Sequence, residues 1–309
     1  MMDRTRGPGT EPSINYRLDN VWSKIKNRKM GLTDSLQQTA QQSRISAQSV
    51  NINDASADGR VAGVLGQISG ILIYLILLIY GSQVMMGVME EKTNRIAEVV
   101  ISSVKPFQLM MGKIIGIGIV AITQFLLWVG LILVIYNVAR AGGKADGTAI
   151  GGVMGGIQHA FSSVNLPLML TFFLLYFIGG FFFYASLYAA IGSAVNEDIR
   201  DAQSLSFPVT MLVIFSIFMM MPASEDPNSP VAFWGSMIPF SSPIVMMARI
   251  PYGVPGTVPW WQVILSLVIL YASIVFVAWV SARIYRTGIL MYGKKVTLKE
   301  MFKWITRKQ

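Results

Sequence analysis

The sequence predicts an all-α, polytopic membrane helix bundle with five transmembrane helices. Three observations carry this expectation. Hydrophobic residues make up 53% of the 309-residue chain and charged residues only 13%, about half the roughly 25% of a soluble domain. The charges cluster between long apolar runs. Five of those runs reach the ~17–25 residues that a tilted or upright helix needs to cross a bilayer.

In chain order, residues 1–60 are a different material, polar and rich in Ser, Gln, Asn and Asp, with no apolar run. No h-region follows Arg4 and Arg6, so no signal peptide is expected there. Residues 61–89 form the first span, with Gly66 and Gly70 at a spacing that lets helices approach closely. Residues 112–138 form the second, where Gly112 and Gly116 repeat that spacing. The glycine-rich stretch 141–161 lacks the strand–loop–helix setting of a phosphate cradle and reads as a connector. Residues 165–195 form the third span, whose aromatic stripe reads as a lipid- or helix-packing surface. A short loop, 196–203, leads to a fourth and short span at 205–221. The fifth, 260–284, opens on the interfacial pair Trp260 and Trp261.

Two connections do not read as ordinary loops. Between the first and second spans lies EEKTNRIAEVVISSVKPFQLMMGK, residues 90–113. Ile96, Val99, Val100 and Val104 recur at helical spacing, while Glu91, Arg95 and Glu98 share the opposite face. Glu91 and Arg95 stand as an acid-first i,i+4 pair. Ser102, Ser103 and Pro106 then break the helix, and Pro106 suits the first turn of the next one. The expectation is a surface helix, an elbow and a return into the membrane, weighed against a plain solvated loop. The elbow's charges have no counterpart inside the spans, so a partner outside the chain is expected for them.

The second connection, residues 222–259, is long and apolar, and Pro239, Pro243, Pro251 and Pro255 forbid one continuous helix. Short helices that enter the membrane and return fit it, provided that the broken backbone is buried in protein. Trp234, Pro239, Phe240 and Pro243 are accordingly expected to be shielded from bulk water. The tail, 287–309, is basic and amphipathic, with Met301, Phe302, Trp304 and Ile305 expected on the lipid side.

Lysine and arginine set the orientation. From Arg283 onward the chain holds Arg283, Arg286, Lys294, Lys295, Lys299, Lys303, Arg307 and Lys308, and the elbow holds Lys92, Arg95, Lys105 and Lys113. The opposite loops hold only Arg140, Lys144 and Arg249. Elbow and tail are therefore expected in the cytoplasm, and five spans then leave residue 1 outside. Topology also explains the net charge of +9 better than nucleic acid does.

Catalytic and metal chemistry is not indicated. The chain has no cysteine and one histidine, His159, and the span interiors carry no charged residue of the kind used by ion-coupled carriers and proton relays. The run GILMYGKK (288–295) has P-loop spacing up to its lysine, but lacks the final Ser or Thr and follows an apolar helix. A transport role would thus take its energy from another protein.

The run MEEKTNRIAEVVISSVKPFQLMMGKIIG (89–116) resembles the type-two ABC exporter permeases, in particular the NatB-like branch, with its EEK, small-residue pair before Pro, and following GK. The run FWGSMIPFSSPIVMMARIPYG (233–253) resembles that branch's extracytoplasmic segment, and the matches together cover 61–292. The resemblance implies a six-span permease subunit that dimerises, with itself or with a second permease, and docks two cytoplasmic ATP-binding cassette ATPases through a coupling helix. ATP and Mg would be held by that partner and no cofactor by this chain. It implies that Glu90, Glu91, Lys92, Arg95 and Glu98 form or flank the docking surface. Trp234, Pro239, Phe240, Pro243 and Arg249 would belong to the outer re-entrant segment.

On this resemblance, residues 1–60 are a polar extracytoplasmic remnant, 61–286 the permease domain and 287–309 a cytoplasmic tail in a bacterial inner membrane. A first span and most of an outer domain are expected upstream. Sodium or small-molecule efflux is the implied activity. A membrane scaffold or immunity-type protein that uses the same helix-in-groove docking is the alternative.

Overall fold

A computed structural model of the chain describes Trp22 and residues 59–96, 103–141, 165–195, 198–291 and 296–306. The expectations for the polar front, the glycine-rich connector and Glu98 fall outside these residues. Among them there is no strand, and five helices are long and apolar enough to cross a membrane. These are α1 (Gly59–Thr93), α2 (Pro106–Ala141), α3 (Leu166–Ala194), α4 (Ile199–Glu225) and α7 (Trp260–Gly288). Between α4 and α7 lie two short helices, α5 (Pro230–Met237) and α6 (Ser242–Arg249), and the tail forms α8 (Leu298–Thr306).

The chain is an all-α, multi-pass membrane bundle. Its axis is α3, the most enclosed of the spans, which packs along both α1 and α7. The aromatic run of α3 is a helix-packing surface: Phe173, Tyr176, Phe177, Phe181 and Tyr184 are buried. Phe173 stacks on Phe125 of α2 with ring centroids 4.7 Å apart. By contrast α2 is mostly exposed, with Leu127, Trp128 and Val134 facing outward, as suits a helix whose solvent is lipid.

Three span lengths differ from the sequence expectation, and the first of these is α2, which runs Pro106–Ala141 instead of 112–138. The α1 helix has 35 residues, or about 52 Å at 1.5 Å per residue, against a hydrocarbon core of about 30 Å. It therefore runs through Glu90, Glu91 and Lys92 instead of stopping at Met89. The expected separate surface helix does not begin at Glu90. The α4 helix also exceeds the predicted 205–221, because Pro208 and Pro222 are accommodated inside it.

Of the two Gly-xxx-Gly pairs, one is used within the chain. A Cβ on Gly66 would strike the backbone at Ala248, and one on Gly70 would strike Met220, with the Ile244 carbonyl 3.2 Å away. These glycines let α6 lie directly on α1. Among the described residues, Gly112 and Gly116 have nothing within 4 Å of a Cβ.

Candidate functional site: the elbow junction and the helical hairpin

At one end of the bundle, the end of α1 is tied to α2 and α3, and the end of α7 packs on the same turn of α3. Lys92 is completely buried, and its Nζ donates to the Ser193 carbonyl at 2.8 Å, in the last turn of α3. A helix C-terminus carries partial negative charge, so a buried lysine is well placed there. Gly288 at the end of α7 lies against the same residue, where a Cβ would sit 2.8 Å from Ser193 Oγ. Next to it, Glu91 Oε1 pairs with Lys113 Nζ of α2 at 2.7 Å. Lys113 also donates to the Gly87 carbonyl at 2.5 Å.

These contacts correct two sequence expectations. The charges of Glu91 and Lys92 do find partners within the bundle: α2 supplies one and α3 the other. The Glu91–Arg95 helical pair does not form either, because α1 ends at Thr93. Arg95 takes a left-handed backbone, φ 56°, and its N–H donates to the Lys92 carbonyl. A left-handed residue just past a helix turns the chain away from the helix axis. Glu90 and Arg95 are left exposed on the outer face of this turn. After it, α2 opens on Pro106 as expected. Three buried polar atoms at this end make no hydrogen bond within the described residues: Glu91 Oε2, Ser281 Oγ and Tyr285 Oη.

At the other end, α5 and α6 form a helical hairpin in which α6 is enclosed and one face of α5 is exposed. All eight residues of α6 are buried. The turn between the two helices leaves carbonyls without helical partners, and hydroxyls from three spans reach them. Tyr184 of α3 donates to the Phe240 carbonyl at 2.8 Å, and Ser216 of α4 reaches the same oxygen at 3.4 Å. Ser266 of α7 donates to the Ser236 carbonyl at 2.6 Å. Inside the turn, Ser241 Oγ donates to the Gly235 carbonyl at 2.7 Å. Broken backbone at membrane depth requires this kind of internal satisfaction.

Arg249 closes the hairpin. It is 1% exposed. Its Nε donates to the Pro227 carbonyl at 2.8 Å, its Nη1 to Ser236 Oγ at 2.5 Å and its Nη2 to Gln262 Oε1 at 2.8 Å. One guanidinium thereby joins the loop before α5, α5 itself and the first turn of α7. Tyr252 adds a bond to the Ser224 carbonyl of α4. Of the hairpin residues named from sequence, Pro243 is buried, while Pro239 and Phe240 are half-buried. Trp234 is 63% exposed, so protein does not shield it. Tyr184, Ser216 and Ser266 were missed; their signal was a hydroxyl in the middle of an apolar run.

Residues 7–283 match the family described as ABC-2 family transporter protein. The chain belongs to the ABC-2 transporter family. Members are membrane subunits of ABC transporters, not catalytic subunits, and the family typically works with a cytoplasmic ABC ATPase. This ABC-2 chain is 32% identical over 241 residues to the uncharacterized protein YhaP of Bacillus subtilis, covering 76% of this chain and 55% of YhaP. It is 29% identical over 240 residues to the uncharacterized protein MJ1024 of Methanocaldococcus jannaschii, covering 77% of this chain and 52% of that protein. The chain thus spans about half the length of these curated relatives. No solved structure matches it.

The tail of this ABC-2 chain differs from expectation. Met301 and Trp304 of α8 are buried against the bundle, Ile305 is partly buried, and only Phe302, 69% exposed, faces outward. Arg283 of α7 donates to the Ile305 carbonyl at 2.7 Å and lies 4.1 Å over the Trp279 ring. The apolar face of α8 therefore docks on protein, and Arg283 of α7 holds its last turn through the Ile305 carbonyl.

Proposed function

We propose that this chain is the permease subunit of an ATP-driven ABC exporter in a bacterial cytoplasmic membrane, with elbow and tail on the cytoplasmic side. A separate ATP-binding cassette ATPase supplies the energy, and permeases pair as homo- or heterodimers. The observation that carries the reading is the ABC-2 family match across residues 7–283. The elbow junction supports a coupling route. The ATPase engages exposed Glu90 and Arg95, and a push there is transmitted through Lys92 to Ser193 of α3 and through Glu91 to Lys113 of α2. The substrate class proposed is the NatB-like one, sodium or small-molecule efflux.

The test is reconstitution of the full chain with its ATPase. Charge reversal at Glu90 and Arg95 is expected to abolish co-purification and stimulated ATP turnover, with the thermal unfolding of the permease unchanged. Stimulation that survives both reversals would remove the elbow from the docking surface.

A further inference from the structure

A second feature lies at the elbow end but on a different face. Between the start of α2 and the last four turns of α7 runs a groove of about 880 Å³, within the ~300–1,000 Å³ usual for ligand sites. Its walls are apolar: Phe107 and Met111 on the α2 side, Trp279 and the small Ala278 on the α7 side. Phe107 and Trp279 are each 49% exposed, so the groove opens sideways, toward the surface that lipid chains cover. At its mouth stand Lys105, Arg283 and Arg286, and among the described residues no acidic one lines it.

We propose that this groove binds one anionic glycerophospholipid of the surrounding bilayer, with an acyl chain along the apolar walls and the phosphate among the three cations. Basic residues at span ends are common for topological reasons alone. Here, however, a cation just before α2 and two on α7 converge on one apolar slot, which matches a molecule that is anionic at one end and apolar along its length. Basic pockets between transmembrane helices on the cytoplasmic side have this recognition chemistry. Two details sharpen the fit. Arg283 is held in place by the Ile305 carbonyl and the Trp279 ring, so its planar fork is oriented before a phosphate arrives. The α2 helix also begins at the mouth, adding the positive end of its dipole. The lipid would wedge α2 against α7, beside the elbow junction, but its binding does not depend on the ATPase reading.

The experiment is native mass spectrometry of the full chain in detergent. It is titrated with palmitoyl-oleoyl phosphatidylglycerol or with phosphatidylcholine of the same chains. The wild-type protein is expected to retain the phosphatidylglycerol preferentially, with affinity falling about fivefold for each cation removed. Lys105→Gln with Arg286→Gln should therefore erase most of the preference. Lys105→Gln alone, at an exposed site before α2, should erase part of it without lowering the unfolding temperature. Lys299→Gln with Lys303→Gln in the tail should leave it intact. Equal retention of both lipids, a preference that survives the groove variants, or an equal loss in the tail variant would overturn the proposal.

Discussion

Glu91 on the last turn of α1 and Lys113 on α2 form an ion pair of 2.7 Å across the two helices joined by the elbow. The pair is enclosed enough to matter, since the carboxylate side chain is 26% exposed and the ammonium 16%. Exposed pairs contribute about 0–1 kcal/mol, whereas breaking a fully buried one costs about 3–5 kcal/mol. Glu91→Gln and Lys113→Gln are each expected to destabilise by about 1–3 kcal/mol. The double variant should lose less than the sum, and thermal unfolding in a double-mutant cycle measures the difference. Strict additivity would mean that the pair is not formed in the membrane.

The two glycine pairs should respond in opposite ways. Gly66→Ala places a methyl group against the backbone at Ala248, and overpacking of this kind costs about 1–3 kcal/mol. Gly116→Ala meets open space and should be neutral or slightly stabilising in a helix. Unfolding temperatures of the two variants, measured side by side, check this. A Gly66→Ala protein as stable as wild type would mean that α6 does not rest on α1.

Arg249 should tolerate no replacement. Arg249→Met leaves the Pro227 carbonyl, Ser236 Oγ and Gln262 Oε1 without their shared donor, at a cost of roughly 3 kcal/mol or more for a buried charged hub. Arg249→Lys is expected to recover little, because an ammonium cannot span three acceptors in one plane. Expression level and unfolding temperature report the result, and full rescue by lysine would point to charge alone.

Cysteine scanning tests the outer hairpin, and the chain has no native cysteine to confuse it. Positions 244, 245 and 247, fully buried on α6, should label slowly with an impermeant thiol reagent. Position 230, exposed at the start of α5, should label fast. Uniformly fast labelling from 230 to 249 would show α6 to be an aqueous loop.

Much of this protein was determined locally. Five spans, the break at Pro106 and the broken helix between α4 and α7 follow from runs of apolar residues and from prolines, which act within about 20 neighbours. The need for protein around the hairpin was legible too, because unpaired backbone is not tolerated in lipid. What supplies that protein was decided by the tertiary structure. Tyr184 reaches Phe240 from 56 residues away and Lys92 reaches Ser193 across 101, and no periodicity in one segment encodes a partner in another. The same holds for the glycines. Gly66 and Gly116 look alike in sequence, but only Gly66 has a helix lying on it. Glu91 and Lys92 read as a free charged surface because charge near a span end is usually solvated. Only the convergence of α1, α2, α3 and α7 at one point turned that surface into a joint.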